Sequence, residues 1–254
     1  MQILVTNDDG IKAESLWALV RELKNIARVT VVAPDGERSA IGTAVTLFEP
    51  LHVQETASPV EGVLAYAVDG SPSDCVILAL GKLVDGVDMV VSGINPSLNL
   101  GEDVYISGTV GAAMQGYFRG LPALAVSAQS VGMSAAARTA ARLVEKMAAN
   151  DPTRIFLNMN VPDLPLKEIR GVRITRLARS SHINSVTEDN NDQYKQYRLV
   201  RERVTESGSD GTDIQAIEQG YISITPLYTS LLDKPPQRLL KKLCTELTHE
   251  LKKE

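Results

Sequence analysis

Cysteine is scarce in this sequence: only Cys75 and Cys244 occur among 254 residues. Two cysteines so far apart cannot build a disulfide framework. They also lack the neighbouring cysteine or histidine ligands that a zinc site requires. Both are therefore predicted to be small, buried hydrophobic residues.

Basic residues in excess and long apolar runs are missing as well. The net charge is -5, which argues against a groove for polymeric DNA or RNA, because such a groove needs clustered Lys and Arg. No apolar run is long enough to span a bilayer, and no secretory leader pattern opens the chain. We therefore expect a cytoplasmic protein without a membrane or a polymeric nucleic acid as partner.

Short apolar strands alternate with amphipathic helices through the first 160 residues. Strands are predicted at residues 3–6 and 27–33, separated by a helix at 13–24 whose apolar residues recur at helical spacing. This alternation predicts a doubly wound α/β fold with a mostly parallel sheet covered on both faces. Further predicted helices are 75–83, 111–118 and 135–149, and further predicted strands are 88–91, 123–128 and 154–158.

The pattern changes near residue 170. Strands are expected at 172–177 and 221–226, with a long polar stretch, 182–211, between them. That stretch has no helical period, and a loop of this length inside a domain is usually functional or mobile. Pro235-Pro236 then precedes a helical segment with an apolar stripe, which would pack on its own core or on a partner subunit.

Oxygen-bearing side chains follow three of the predicted strands. Asn7-Asp8-Asp9-Gly10 follows the first, residues 34–39 (PDGERS) the second, and residues 92–99 (SGINPSLN) the strand at 88–91. Ligands of open α/β sheets bind at the carboxyl ends of the strands, so these sets should converge. Asp-Asp-Gly alone is a common turn sequence. Three converging sets of oxygen ligands instead favour a hard cation such as Mg²⁺ or Mn²⁺.

A helix entry at residues 107–113 (SGTVGAA) adds a second feature. Free backbone N–H groups at a helix N-terminus suit a phosphate group, although an ordinary N-cap explains the same residues. Neither a Walker A motif nor a GxGxxG motif is present, so NTP hydrolysis and dinucleotide binding lack their usual support. Phosphate beside an oxygen-ligated cation fits phosphoryl chemistry.

Four segments of the chain resemble the SurE survival protein family, whose members are metal-dependent phosphatases acting on nucleoside monophosphates. The resemblance runs in order through residues 1–128 and again through 211–228. The segments are ILVTNDDGI, APDGERSAIGTAVT, VSGINPSLNLGEDVYISGTVGAAMQG and GTDIQAIEQGYISITPL.

This resemblance implies one divalent metal ion per subunit, Mg²⁺ or Mn²⁺, and a catalytic role for Asp8 and Asp9. It also implies a Rossmann-like fold with an extended hairpin and a C-terminal arm exchanged in a homodimer or homotetramer. The single domain would comprise a core (about 1–180 and 211–228), a polar loop or hairpin (about 181–210) and the arm (229–254). The implied metal ligands are Asp8, Asp9, Ser39 and Asn95, and the implied phosphate-binding residues are Asn95, Asn99, Ser107, Gly108 and Thr109.

The sequence therefore predicts a 5'-nucleotidase that hydrolyses nucleoside 5'-monophosphates to nucleoside and phosphate. Two alternatives stay open at this point. One is an aspartyl-phosphate phosphatase with Asp8 as the nucleophile, which would need an Asp-x-Asp pattern rather than adjacent acids. The other is a nucleotide-sensing module that binds without turnover.

Overall fold

The structure is a computed structural model that describes residues 1–149, 155–179, 183–191, 194–201 and 210–227. The predicted C-terminal arm, Pro235-Pro236 and Cys244 lie outside these ranges. Within them the chain forms a nine-stranded sheet, a two-stranded sheet and five α-helices. The strands are β1 Gln2–Thr6, β2 Arg28–Pro34, β3 Val53–Glu55, β4 Leu64–Val68, β5 Met89–Asn95, β6 Ala123–Ala128, β7 Phe156–Val161, β8 Val172–Ile174, β9 Ile183–Asn191, β10 Tyr194–Arg201 and β11 Ile222–Pro226, and the helices are α1 Glu14–Leu23, α2 Pro72–Leu78, α3 Gly108–Phe118, α4 Met133–Ala149 and α5 Asp213–Glu218.

The large sheet has the order β3-β4-β2-β1-β5-β6-β7-β11-β8 and is mostly parallel. Only the β3–β4 and β11–β7 pairs are antiparallel among its described pairings. The predicted α/β class is therefore confirmed. From β1 the chain moves outward to β2 and β4, then returns to place β5 on the other side of β1. The strand order thus reverses between β1 and β5, which is where open α/β sheets bind ligands.

Helices cover both faces of the sheet. On one face α1 packs with α4, burying Leu16, Leu19 and Val144. On the other face α2 packs with α3, and Val76 and Ala112 lie in the core there. Strand β1 serves both layers, because side chains alternate across a strand: Ile3 and Val5 join the first core and Leu4 the second. None of the helices in the described ranges is long and apolar enough to cross a membrane.

Some elements differ from their sequence-based prediction. Strands β3 and β4 were not predicted; β3 is only three residues long and fully exposed, so no apolar pattern marks it. Helix α2 begins three residues before the predicted start, because Ser71 caps it: the Ser71 hydroxyl accepts the Asp74 N–H, and the Asp74 carboxylate accepts the Ser71 N–H. The predicted helix then ends as a π-helical segment, Ala79–Leu83.

The polar segment expected to form a loop or a hairpin, about 181–210, contains a hairpin over residues 183–191 and 194–201. Strands β9 and β10 pair antiparallel, with Leu199 opposite Val186 and Tyr197 opposite Glu188. Val186, Tyr197 and Leu199 therefore share one face of the ribbon, and all three are exposed. The remaining residues are so polar that no clear alternation marks the strands, whose backbone pairing does not depend on side-chain type.

Candidate active site

A polar cavity of about 180 Å³ opens at the reversal of strand order, beyond the ends of β1 and β5. It is enclosed by the segments that follow β1, β2 and β5 and by the entry to α3. Six of the eight site residues predicted from the sequence line it: Asp8, Asp9, Ser39, Asn95, Asn99 and Ser107. The other two, Gly108 and Thr109, both contact Asp8.

The Asn-Asp-Asp-Gly segment does form a tight turn. Asn7 donates from Nδ2 to the Gly10 carbonyl oxygen at 3.1 Å. Gly10 has a φ of 95°, and a Cβ on it would lie 2.9 Å from the backbone carbon of Gly36. Only glycine fits this contact, which holds the segments after β1 and β2 together. The Arg38 N–H, donating to the Asp8 carbonyl oxygen at 2.7 Å, adds to the link.

Asp8 is buried beneath the entry to α3. The Thr109 hydroxyl donates a hydrogen bond to its Oδ1, and a Cβ added to Gly108 would lie 2.8 Å from the Asp8 Cβ. Burial raises the pKa of Asp8, and the hydrogen bond from Thr109 opposes that effect. A buried carboxylate is thus held directly against the positive end of a helix.

Asp9 lies beside it with one oxygen free. Its Oδ2 is buried and has no hydrogen-bond partner among the residues that the structure describes. Burial, then the charges of Asp8 and Glu37, raise the pKa of Asp9 to about 7. Two adjacent acids with raised pKa values are expected where a cation would neutralise them.

Ser39 approaches the cavity from the segment after β2, and Asn95 approaches it as the last residue of β5. The Ser39 hydroxyl donates to Glu37 Oε1 at 2.6 Å, which leaves its oxygen lone pairs available. Asn95 donates from Nδ2 to the Ser97 carbonyl oxygen at 2.5 Å, so its Oδ1 is the end of the amide that can accept or ligate. Both residues can therefore offer neutral oxygen ligands.

Ser107 and Asn99 line the cavity at the entry to α3 and in the segment before it. The Ser107 hydroxyl oxygen accepts the Val110 N–H at 3.1 Å, so the N-cap interpretation is confirmed. Its hydroxyl hydrogen is still free to donate, so capping and phosphate binding are compatible. Asn99 is buried, and its Nδ2 donates to the Ser127 hydroxyl oxygen at 2.9 Å.

Helix α3 approaches its neighbours at three glycines. Besides the contact of Gly108 with Asp8, a Cβ on Gly111 would lie 2.6 Å from the Gly42 carbonyl oxygen. A Cβ on Gly116 would lie 2.5 Å from Val90 Cγ2, a side chain of β5. The helix therefore touches the site, a neighbouring loop and the sheet at distances that exclude any larger residue.

Sequence reasoning missed two acids that line the cavity, Glu37 and Asp103. Both acids lie in segments quoted above, Glu37 in PDGERS after β2 and Asp103 in the third segment that carries the family resemblance, so their positions were usable signals. His52 pairs with Asp69, Nδ1 to Oδ2 at 2.6 Å, in an exposed position outside the cavity lining. His182 and His249 lie outside the described residues.

The ligand set fits a hard cation. Among the described residues, no group of three His, Cys, Asp or Glu side chains is arranged to hold a metal ion. A metal here would therefore need the hydroxyl and amide oxygens of Ser39 and Asn95 besides the two carboxylates. Such oxygen-only ligation is typical of Mg²⁺ and Mn²⁺ and unlike that of Zn²⁺. The unpartnered, buried Asp9 Oδ2 is the atom that most needs such an ion.

The metal-free protein is expected to lose stability as the pH rises from about 4 to about 7. Asp9 has a pKa of about 7 when folded against 3.8 as its ordinary value, so over this interval the folded state keeps a proton that the unfolded chain has lost. The free energy of unfolding therefore falls with increasing pH. Thermal melts in EDTA check this; the Asp9→Asn protein should show a shallower slope, and a wild-type midpoint that rises between pH 5 and 7 would contradict it.

This chain is similar to a known family and to several known proteins. A family model described as Survival protein SurE matches residues 3–184. The protein named 5'-nucleotidase SurE from Dehalococcoides mccartyi strain CBDB1 is 49% identical over 242 residues, covering 92% of this chain and 91% of the relative. The protein of that name from Legionella pneumophila strain Philadelphia 1 is 40% identical, covering 97% of this chain and 100% of its own. A crystal structure of the Sure protein from Aquifex aeolicus superposes with a TM-score of 0.79 at 32% identity, covering 95% of this chain and 98% of the other.

Proposed function

The chain belongs to the survival protein SurE family, and from that premise we propose that it is a metal-dependent 5'-nucleotidase. It hydrolyses nucleoside 5'-monophosphates to a nucleoside and phosphate. The relatives that carry the nucleotidase name match over nine-tenths or more of their length, which supports the same activity for this chain.

One observation carries the mechanism: buried Asp8 lies against the N-terminus of α3, and half-buried Asp9 beside it has an oxygen without a hydrogen-bond partner among the described residues. A cation would stabilise the two adjacent negative charges, and the partial positive charge at the helix N-terminus would stabilise an anion. A divalent ion beside the carboxylates and a phosphate monoester beside the helix N-terminus would supply both charges.

We assign the metal ligands to Asp8, Asp9, Ser39 and Asn95, with one Mg²⁺ or Mn²⁺ ion per subunit. When bound, such an ion supplies positive charge that polarises the phosphoryl group and neutralises the acids. Asp8 is held for this role by the Thr109 hydroxyl. Asp9 presents its Oδ2, the oxygen without a hydrogen-bond partner among the described residues.

The phosphate is bound on the α3 side of the cavity. The Ser107 hydroxyl hydrogen, the Asn99 amide and the N–H group of Gly108 supply donors there, while the Thr109 residue holds Asp8 beside them. These donors take up the negative charge that spreads over the phosphoryl oxygens as water adds and the bond to the ribose oxygen breaks. We propose that the carboxylate pair orients the attacking water, whose proton passes to a carboxylate of the cavity and then to the departing ribose oxygen, which leaves as the nucleoside hydroxyl.

The two alternatives are less well supported. A covalent aspartyl-phosphate would require a freely accessible Asp8, but Asp8 is buried and its Oδ1 accepts from Thr109. A sensing module would have no use for a complete set of cation ligands. Trapping of a phosphoenzyme would revive the first, and tight nucleotide binding with no release of phosphate would revive the second.

The decisive experiment is phosphate release by EDTA-stripped protein from a panel of nucleoside 5'-monophosphates. We expect no turnover without metal, and recovery when Mg²⁺ or Mn²⁺ is added back. The panel would also rank the bases and sugars. Folded protein that shows no turnover with any added divalent ion would overturn the nucleotidase assignment.

We also propose that the single domain assembles into a homodimer or homotetramer in the cytoplasm. The exposed apolar face of the hairpin, Val186, Tyr197 and Leu199, supports assembly, since an isolated two-stranded ribbon is only marginally stable in water. The free, buried thiol of Cys75 suits a reducing compartment.

A further inference from the structure

Buried amides on β7 bind both polar groups of the Asn99 main chain. Asn160 makes two of these contacts: its Oδ1 accepts the Asn99 N–H at 2.9 Å, and its Nδ2 donates to the Asn99 carbonyl oxygen at 3.0 Å. Asn158 donates from Nδ2 to the same carbonyl oxygen at 2.8 Å. The main chain at Asn99 therefore cannot shift without breaking hydrogen bonds in a dry environment, where they are costly to lose.

A third buried residue fixes the side chain of Asn99. The Ser127 hydroxyl oxygen, on β6, accepts a hydrogen bond from Asn99 Nδ2 at 2.9 Å. An amide nitrogen carries two hydrogens, so the second N–H and the Oδ1 of Asn99 are left for the cavity that this residue lines. Ser127 thereby fixes the orientation of the Asn99 amide, with one N–H directed at Ser127 and the other N–H and Oδ1 directed at the cavity.

The placement of these residues is costly in a sheet interior. Asn158, Asn160 and Ser127 are completely buried, and burying a polar side chain is unfavourable unless it is hydrogen-bonded. Asn158 and Asn160 are two residues apart on β7, so both amides point to the same side of the sheet. They share Asn99 as the acceptor of their hydrogen bonds. A strand that only had to pack would carry apolar residues here.

We propose that Asn158, Asn160 and Ser127 are positioning residues for phosphate binding: they hold Asn99 so that its amide donates to the phosphate of the nucleotide. This inference rests on the proposed function and adds residues that act through Asn99. Among the described residues that line the cavity, Asn99 is present and these three are not. Since the four metal ligands are held by other contacts, phosphate affinity should depend on this network and metal affinity should not.

The test compares Asn160→Ala, Asn158→Ala and Ser127→Ala with the control Thr175→Val. Thr175 is also buried and loses comparable contacts on substitution, because its hydroxyl lies 2.8 Å from Ser223 Oγ and 2.7 Å from Thr225 Oγ1. The measurements are the Kd of inorganic phosphate by calorimetry with Mn²⁺ present, the Kd of Mn²⁺ itself, and the thermal midpoint of each variant.

We expect phosphate to bind about tenfold more weakly to each asparagine variant and about threefold more weakly to Ser127→Ala, as for lost hydrogen bonds. Mn²⁺ affinity should stay within about twofold of the wild type by the same scale. Ser127→Ala removes a single hydroxyl and decides the matter if an asparagine variant fails to fold. Phosphate affinity that falls no further than in Thr175→Val, or Mn²⁺ affinity that falls in parallel, would overturn the proposal.

Together with the phosphate-release assay described above, these titrations separate this inference from the proposed function. A wild-type protein that binds phosphate with Mn²⁺ but releases none from nucleotides would remove the nucleotidase assignment, and the variants would still decide the role of the network. A wild-type protein that binds no phosphate would overturn both.

Discussion

Asp9→Asn is expected to abolish nucleotide hydrolysis while making the metal-free protein more stable. The substitution removes one of the two carboxylates proposed to bind the cation, and with it the charge that neutralises the ion. Turnover should fall by about 10³-fold or more, a typical loss for a group that stabilises charge in the transition state. Mn²⁺ affinity should fall as well, because the affinity of an oxygen site follows its ligand charge.

The gain in stability has the same origin. In the metal-free state Asp9 is partly buried beside Asp8 and Glu37, and its pKa of about 7 reports that the charged form is disfavoured there. A neutral amide of similar shape removes this penalty, so above pH 7 the thermal midpoint should rise by about 2–4 °C for each kcal/mol relieved.

Turnover measured with Mn²⁺ present checks the loss of activity. Calorimetric melts of the EDTA-treated protein check the gain in stability. Asp85→Asn is the matched control, since Asp85 is exposed and does not line the cavity; it should change neither quantity. If Asp9→Asn kept wild-type turnover and metal affinity, the assignment of Asp9 would be wrong. A loss of activity with a loss of stability would instead indicate a structural defect.

Gly108→Ala is expected to cost about 100-fold in kcat/KM through the addition of one methyl group. That methyl carbon would lie 2.8 Å from the Asp8 Cβ and 3.1 Å from its Oδ2. Either Asp8 or the start of α3 must move, and a displacement of about 1 Å in a catalytic group can cost two orders of magnitude. Overpacking should also reduce stability by about 1–3 kcal/mol.

Gly81→Ala provides the matched control, because a Cβ at this helical glycine meets nothing within 4 Å. It should keep full activity and be as stable as the wild type or slightly more stable. The measurement is kcat/KM for a nucleoside monophosphate at saturating Mn²⁺, with the Mn²⁺ affinity determined separately. A Gly108→Ala enzyme with unchanged kcat/KM would show that the contact of α3 with Asp8 does not matter for the reaction.

The sequence predicted the class of fold because its strands are apolar on both faces. Ile3, Leu4 and Val5 form one uninterrupted apolar run, and the structure buries them in two different cores. Such runs between amphipathic helices are typical of covered parallel sheets. The short edge strand β3 carries no such run, since it is exposed along its whole length, and nothing in its composition separates it from a loop.

The site residues that lie at the ends of strands could be predicted from the sequence. The residues that act through contacts distant in sequence could not. Asp8 and Asp9 lie just after β1 and Asn95 ends β5, so their convergence follows from the topology alone. Asn158 and Asn160 contact Asn99, about sixty positions earlier in the sequence. Local sequence patterns carry no information about contacts at that separation. The only signal for these two residues is the presence of two asparagines in or beside a predicted strand, and that prediction ended at 158, three residues before β7 ends at Val161.

The three glycines of α3 also bear on the order in which the molecule folds. Each glycine in a helix costs about 0.5–1 kcal/mol relative to alanine, and an isolated helix of 11 residues is already marginal in water. Helix α3 should therefore gain its structure only once β1 and β5 have paired and given Gly108 and Gly116 their packing partners. The contact between Asp8 and the start of α3 would then form late in folding. Partly folded chains would therefore contain most of the sheet before they could bind a nucleotide.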